Sequence, residues 1–203
     1  MFNNLKDKYK KFDNDELVIK SQQNDRLALE ELLKRNQKNI YNTLYHLDPK
    51  RTDMSDLVQE AMYRVAKSIK SLKQPGKFKV WLNQIITNLF YDELRRKSRQ
   101  LPTLSMDDNS FDHDEETLSK TKDIADTAKL PDEKTLGREL NKKIQEAVDN
   151  LPEQFRLVIV LREVQGLSYE EIAEITKTNI GTVKSRLARA RAKLQEKMKP
   201  YLE

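Results

Sequence analysis

The chain has 203 residues, of which 37% are hydrophobic and 35% are charged, and its net charge is +5. This length predicts one or two compact units, and the high charge content requires any core to consist of narrow apolar stripes on charged helices. The absence of cysteine excludes disulfides, thiolate zinc sites and cysteine nucleophiles. The longest strongly apolar run, 157–161, is too short to span a bilayer, so we expect a cytoplasmic protein with no membrane insertion.

The charge is unevenly distributed along the chain. Residues 101–135 contain ten acidic residues and four lysines, a net charge of −6, which leaves +11 for the two flanking segments. This segment also lacks helical periodicity, and we predict a flexible acidic linker that spans roughly 30 Å as a coil. Two basic modules joined by an acidic tether indicate nucleic acid as the partner.

The first hundred residues show helical patterns. Asp13 and Glu16 have the spacing of a capping box at the start of one helix. Apolar residues at four-residue spacing predict another helix over 57–69. A basic break with a Pro-Gly turn then leads to the strongest periodicity of the chain, at 78–90, which ends in a cluster of arginine and lysine.

The last third of the chain also shows helical patterns. The run 157–161 has the composition of a buried strand, but the helical patterns on both sides favour a helix. Ser168 and Glu171 form a second capping-box pattern, and Asn179 can cap a further helix after a short turn. Two short helices joined in this way predict a helix-turn-helix. Lys177 occupies the turn position where a left-handed backbone usually favours glycine, so we expect either modest strain or a different turn geometry.

The second helix of this pair has an apolar face and a polar arc. The residues that we expect it to bury are Ile180, Val183, Leu187, Ala190 and Leu194. The polar arc fits the major groove, where arginine reads guanine and Ser or Thr contacts a base or a phosphate, although a merely solvated basic helix is the alternative. The residues assigned to this DNA-reading arc are Asn179, Gly181, Thr182, Lys184, Ser185, Arg186, Arg189 and Lys193.

The C-terminal pattern resembles region 4 of the sigma-70 family, the promoter-reading subunits of bacterial RNA polymerase. The resemblance is carried by Leu151-Pro152-Glu153, by 166–173 and by 181–186. The N-terminal half independently resembles region 2 of the same family, through 56–60 and the pattern from Phe78 to Arg96. Only regions 2 and 4 are recognised, as in the extracytoplasmic-function (ECF) group. The resemblance implies an all-α protein with two small helical domains, 1–100 and 136–203, joined by the flexible acidic linker at 101–135.

The resemblance also implies a function and a set of partners. It implies a cytoplasmic, nucleoid-associated sigma factor that binds core RNA polymerase and directs promoter-specific transcription initiation in a stress response. The implied polymerase contacts are the clamp helices of the largest subunit and the β-subunit flap, and an anti-sigma factor is a further implied partner. The residues implied in polymerase binding are Asp56, Leu57, Val58, Gln59 and Glu60.

The two promoter elements are assigned to different modules. The DNA-reading arc is expected to contact the minus-thirty-five element, and the loop 70–77 is implied to help hold a base flipped from the minus-ten element. Basic side chains would contact phosphates, and polar side chains of the 78–96 helix would contact bases. The residues assigned to the minus-ten element are Lys70, Lys73, Lys77, Lys79, Asn83, Thr87, Asn88, Tyr91, Arg95 and Arg96.

Two other classes of function remain open from the sequence. An autonomous helix-turn-helix repressor or activator would bind duplex DNA without polymerase, usually as a symmetric dimer, but no long coiled-coil seam is evident. An enzyme acting on nucleic acid would need clustered catalytic side chains, whereas His46 and His113 are isolated and no P-loop or metal-ligand spacing is evident. We therefore expect no catalytic residue, no cofactor and no metal.

Overall fold

The computed structural model describes residues 8–100 and 142–201. Within these ranges the regular structure is helical and no β-strand occurs, so the predicted all-α class is confirmed. The run 157–161 is helical rather than a strand. The predicted linker, 101–135, and residues 136–141 of the predicted second domain lie outside the described residues.

The N-terminal module, residues 8–100, is built on four α-helices, the first two of which start at a capping aspartate. They are α1 (Asn14–Gln22), α2 (Arg26–Leu47), α3 (Met54–Ser68) and α4 (Phe78–Gln100). Asp13 and Glu16 form the predicted capping box, and the carboxylate of Asp25 accepts two backbone N–H groups in the first turn of α2. Each such cap contributes about 1 kcal/mol to helix stability.

The core of this module consists of the apolar faces of its helices. α4 supplies the largest share, and its side chains at Leu82, Ile86, Leu89 and Phe90 are each at most 2% exposed. They belong to the same cluster as Leu44 of α2 and the buried residues of α3. Burial of one such side chain contributes about 1.5–3 kcal/mol. The predicted stripe of α4 is therefore the main packing surface of the module.

The C-terminal module is a helix-turn-helix preceded by two helical segments. The described part begins with helical residues 142–149 and continues with α5 (Glu153–Ile159), which runs directly into a π-helix, Val160–Val164. The helix-turn-helix itself consists of α6 (Tyr169–Thr176) and α7 (Ile180–Met198). Its two predicted caps are confirmed, because Ser168 and Glu171 form a capping box and Asn179 caps α7.

The buried face of α7 differs from the prediction at its first residue. Val183, Leu187 and Ala190 are buried as expected, and Leu194 is half-buried. The prediction for Ile180 is wrong, because its side chain is 39% exposed. Ile180 is the first residue of α7, so it lies at the rim of the module, one turn before the helix face that packs on the core.

The turn between α6 and α7 contains a strained residue. Lys177 has φ 54° and ψ 39°, which is the left-handed conformation, and its N–H donates to the carbonyl of Ala173. A side chain in this conformation costs roughly 1 kcal/mol or more relative to glycine. Of the two expectations for this position, modest strain or a different turn geometry, the first agrees with these angles.

We expect Lys177→Gly to raise the free energy of unfolding by about 1 kcal/mol, because glycine removes the strain of a β-carbon. Urea denaturation followed by circular dichroism measures this change. Ala192→Gly, on the exposed side of α7, is the matched control and is expected to lower stability by about 1 kcal/mol. Equal destabilisation by the two glycines would show that Lys177 is not strained.

The two modules contact each other. α4 packs against α6, and the π-helix packs against α2. Gln84 on α4 donates from Nε2 to the carbonyl oxygen of Ile175 at 3.1 Å. Gln165, which follows the π-helix, donates from Nε2 to Asn39 Oδ1 at 3.0 Å and to Thr43 Oγ1 at 2.6 Å.

Candidate nucleic-acid interface

The helix-turn-helix presents the predicted DNA-reading arc at its surface. Every member of the arc is exposed or half-buried, while the apolar face of α7 packs inward. The carboxamide of Asn179 accepts the N–H of Thr182 at 2.7 Å, and Ser185 donates to the carbonyl of Thr182 at 3.0 Å. A β-carbon at Gly181 would lie 3.2 Å from Asn179 Oδ1 and would crowd this cap. A small residue at this position therefore keeps the first turn of α7 tightly capped.

Charges on α7 fall into two groups. Arg191 forms an ion pair with Glu163 at 2.7 Å, so it is engaged by its own module. Lys184, Arg189 and Lys193 are exposed on the remaining surface of the helix. The basic charge of α7 is thus concentrated on the arc that the sequence assigned to DNA.

The residues predicted to contact the minus-ten element differ in their exposure. Tyr91 is half-buried, and Asn83 and Thr87 are buried. The exposed members are Lys70, Lys73, Lys77, Lys79, Asn88, Arg95 and Arg96.

The assignment of Asn83 and Thr87 to an exposed polar arc is wrong. Asn83 is 0% exposed and Thr87 is 1% exposed, one turn apart on the helix side that also carries Ile86 and Phe90. Asn83 donates to the carbonyl of Lys79, whereas its Oδ1 and the Thr87 hydroxyl have no partner among the described residues. α4 packs within its own module and also against α6. A smaller part of its surface is therefore exposed to solvent than a single apolar stripe predicts.

Tyr91 lies between the modules. Burial raises the pKa of its phenol, and the charges of Arg186, Glu153 and Arg95 act on it as smaller effects. Arg186 and Glu153 belong to the C-terminal module, so the DNA-reading arc and the polar side of α4 approach each other in this arrangement.

Ion pairs hold the basic end of α4 to the connection between α2 and α3. The side chain of Arg51 is only 5% exposed and contacts Glu93 at 2.7 Å and Asp53 at 2.8 Å. Glu93 also pairs with Arg96 at 2.8 Å. The hydrogen bond from Arg51 lowers the pKa of the Asp53 carboxyl below its ordinary value. The network fixes the direction in which the end of α4 presents its exposed arginines.

A cleft of about 190 Å³ opens between α1, α2 and the start of α4. Since a cavity of ~150 Å³ holds a benzene molecule, the cleft has room for a planar ring. It lies beside the basic 70–77 loop and combines amide groups with an aromatic ring, a lysine and the carboxylate of Asp15. Its lining includes Asn14, Asn36, Asn39, Gly76, Phe78 and Lys79.

The predicted polymerase-binding segment is split between core and surface. Asp56 and Gln59 are exposed on α3 and Glu60 is half-buried. Leu57 and Val58 are 4% and 5% exposed and belong to the core. Their assignment as direct polymerase contacts is therefore corrected: their side chains hold α3 in the module, because they fall on its apolar face.

Sequence reasoning missed the two glutamines that join the modules, Gln84 and Gln165. Gln84 does not break the periodicity of α4, Gln165 lies in a turn after the π-helix, and no local pattern marks a partner more than ninety residues away. Gln165 is 3% exposed, and a buried carboxamide between a π-helix and a glycine becomes recognisable only once the modules are seen together.

The described residues give no sign of a metal centre or a membrane segment. Within 8–100 and 142–201, no group of three or more His, Asp or Glu side chains is placed to hold a metal ion. In the same ranges no helix is both long and apolar enough to cross a membrane.

These features define a two-module helical protein with a DNA-reading helix-turn-helix, and comparison with known proteins places it in a family. The family model described as sigma-70 region 2 matches residues 32–100, and that described as sigma-70 region 4 matches residues 141–194. The ECF RNA polymerase sigma-E factor of Haemophilus influenzae is 34% identical over 189 residues, covering 92% of this chain and 95% of that protein. The ECF RNA polymerase sigma factor SigE of Mycolicibacterium smegmatis is 34% identical over 167 residues, covering 82% of this chain and 60% of that longer protein.

Solved structures agree with these matches. The sigma factor RpoE from Bartonella quintana, in complex with the anti-sigma factor NepR, has a TM-score of 0.61 and 26% identity, covering 84% of this chain and 96% of that chain. CnrH, in complex with the cytosolic domain of CnrY, has a TM-score of 0.62 and 20% identity, which supports the fold. The chain belongs to the sigma-70 family of RNA polymerase sigma factors, in its ECF group, as the sequence motifs predicted.

Proposed function

We propose that the protein binds core RNA polymerase and directs it to promoters, with the N-terminal module reading the minus-ten element and the C-terminal module the minus-thirty-five element. One observation carries the proposal. A basic module with a polar cleft is followed along the chain by a helix-turn-helix with an exposed basic arc, which is the order of sigma regions 2 and 4. The protein acts by positioning polymerase rather than as an enzyme, a role supported by its sigma-70 regions 2 and 4.

The C-terminal module supplies a reading surface for duplex DNA. α7 enters the major groove with its first turns, where Thr182, Ser185 and Arg186 meet base edges. Lys184 and Lys193 contact phosphates, which makes binding strongly dependent on salt. Support for this comes from the exposure of the arc and from the Asn179 cap, which presents the start of α7 to solvent.

The N-terminal module supplies a surface for the melted minus-ten element. Lys70, Lys73 and Lys77 are exposed on the loop beside the cleft and would contact the phosphates of the non-template strand. Unstacking a base costs a few kcal/mol, which a fitted pocket offsets. The carboxamides of Asn36 and Asn39 offer both donors and acceptors to a base edge.

The exposed side of α3 and the nature of the relatives suggest the protein partners. Asp56 and Gln59 would contact the clamp helices of the polymerase largest subunit, and the C-terminal module would contact the β-subunit flap. An anti-sigma factor is a further proposed partner, as in the complexes solved for RpoE and CnrH. These partners place the protein in the cytoplasm, with the nucleoid.

Transcription from purified components tests this proposal. We expect core polymerase to give promoter-specific transcripts only when the protein is added, because core enzyme lacks both reading surfaces. Mapping start sites across genomic templates identifies the promoters used. Unchanged output on addition of the protein would overturn the proposal, and tight operator binding without core enzyme would instead identify an autonomous repressor.

A further inference from the structure

We propose that the Gln165–Gly166 turn of the C-terminal module and a flipped promoter base compete for the rim of the cleft in the N-terminal module. The modules would then have to separate before the minus-ten element binds. The inference deepens the proposed function and rests on it, since it takes the cleft beside the 70–77 loop as the base-binding site.

A π-helix and a left-handed glycine place Gln165 between the two modules. The preceding π-helix, Val160–Val164, and the left-handed Gly166, with φ 65°, turn the chain sharply around it. Its carboxamide is 3% exposed and donates to Asn39 and Thr43, both on α2 of the other module. A buried amide without partners is costly, so these bonds stabilise the docked arrangement specifically. π-helical turns frequently mark functional sites.

The turn shares two residues with the cleft. Asn39 lines the cleft and is also the acceptor of the hydrogen bond from Gln165. Lys79 lines the cleft as well, and its Nζ lies 4.0 Å from the position of a β-carbon on Gly166. The turn therefore lies at the rim of the cleft. The side-chain amide of Gln165 donates to Asn39 Oδ1, the same oxygen that would accept a hydrogen bond from a base.

The docked module also covers the polar side of α4. Gln84 bonds the carbonyl of Ile175 at 3.1 Å and the side chain of Asn88 at 3.0 Å. Tyr91, two turns further along α4, is half-buried, and the charge of Arg186 of the DNA-reading arc acts on its phenol. A single docking event thus occupies the rim of the cleft and brings the two DNA surfaces together.

This arrangement makes DNA binding a competition between two states. For a ligand that binds only the separated state, the apparent association constant equals the intrinsic constant multiplied by the fraction of molecules in that state. One hydrogen bond of ordinary net strength changes that fraction about two- to twelvefold. Removing the Gln165 contact should therefore raise the affinity of the free protein for a single strand by about this factor.

The test uses the full-length protein without polymerase. The variants are Gln165→Ala and, on the other module, Thr43→Val, which keeps the side-chain shape and removes the hydroxyl acceptor. The matched control is Gln145→Ala, because Gln145 donates at 2.8 Å to Asp149 within its own module. The chain has no cysteine, so Gln23→Cys and Ala192→Cys, both at exposed positions, accept a dye pair that reports module separation.

We expect both variants to lower energy transfer and to bind a labelled minus-ten non-template oligonucleotide about two- to twelvefold more tightly, with the control unchanged. The double variant should gain little over Gln165→Ala, since that substitution alone already removes the hydrogen bonds to both Asn39 and Thr43. Adding the oligonucleotide to the otherwise wild-type labelled protein should also lower energy transfer. Should Gln165→Ala lose its cooperative unfolding transition, Thr43→Val alone decides the question.

Unchanged energy transfer and unchanged affinity in a folded Thr43→Val protein would overturn the competition. The same proteins are then assayed with core polymerase. Promoter-specific transcripts from wild type and variants would leave the proposed function standing while the competition fails. An absence of transcripts from wild type as well would show that the proposed function itself is wrong.

Discussion

Alanine at Arg186 or Arg189 is expected to reduce transcription from a promoter with a minus-thirty-five element about 5- to 150-fold, because a bidentate arginine–guanine contact discriminates by about 1–3 kcal/mol. Arg189 is exposed and Arg186 is half-buried beside the face formed by Val183, Leu187 and Ala190. Neither arginine belongs to the apolar core, so their loss leaves the apolar packing of the helix-turn-helix intact. Run-off transcription with saturating core enzyme measures the effect.

The matched control for this prediction is Arg191→Ala on the same helix. Arg191 pairs with Glu163 and is 52% exposed, and exposed pairs of this kind contribute about 1 kcal/mol or less. Transcription should therefore change little in the control. If alanine at Arg186 and Arg189 weakened core binding as much as it weakened transcription, these arginines would belong to the polymerase interface.

Arg51→Ala is expected to lower the free energy of unfolding of the N-terminal module by about 2–4 kcal/mol, close to the usual cost of breaking a buried ion pair. Its guanidinium is 5% exposed and is bonded by Glu93, which is 15% exposed, and by Asp53. Removing Arg51 leaves Glu93 poorly solvated with only the exposed Arg96 as a partner. Thermal or urea denaturation measures the change.

Arg95→Ala is the matched control, because Arg95 is 64% exposed and its pair with Asp92 is 3.5 Å long. The control should change stability by less than about 1 kcal/mol.

Asp53 adds a dependence on pH, because its pKa is lowered in the folded state. Its contribution to the free energy of unfolding is present above the unfolded pKa and is lost as pH falls through the folded pKa. The difference between wild type and Arg51→Ala should therefore shrink in acid. Equal losses from both arginine substitutions would contradict this account.

Local patterns were sufficient to predict most of the fold. The capping boxes at Asp13 and Ser168 and the apolar stripe of α4 depend on residues three or four positions apart, which a sequence displays directly. The left-handed Lys177 was recognisable for the same reason. The helix-turn-helix arc was also predictable, since its exposed face is defined by the buried face of one helix.

The errors arise where a residue responds to distant parts of the chain. The prediction of exposed side chains at Asn83 and Thr87 rests on a single apolar stripe along α4, whereas both side chains are buried and α4 contacts α6 of the other module as well as its own bundle. The apolar stripe of α3 already indicated a core position for Leu57, whereas Val58 lies outside that stripe and its burial depends on α3 packing into the bundle. Gln165 gave no signal at all, because its partners on α2 are more than a hundred positions away.

Trp81 is the only tryptophan in the chain, and it is half-buried on α4, packed against the core and 6.0 Å from the ring of Phe78. It lies one turn before Gln84, the residue that bonds α6, so both side chains fall on neighbouring parts of the helix surface. The unlabelled chain therefore contains a built-in optical reporter. If separation of α6 from α4 exposes the indole to water, its emission maximum should shift to longer wavelength, and the kinetics of separation can then be followed by stopped-flow fluorescence.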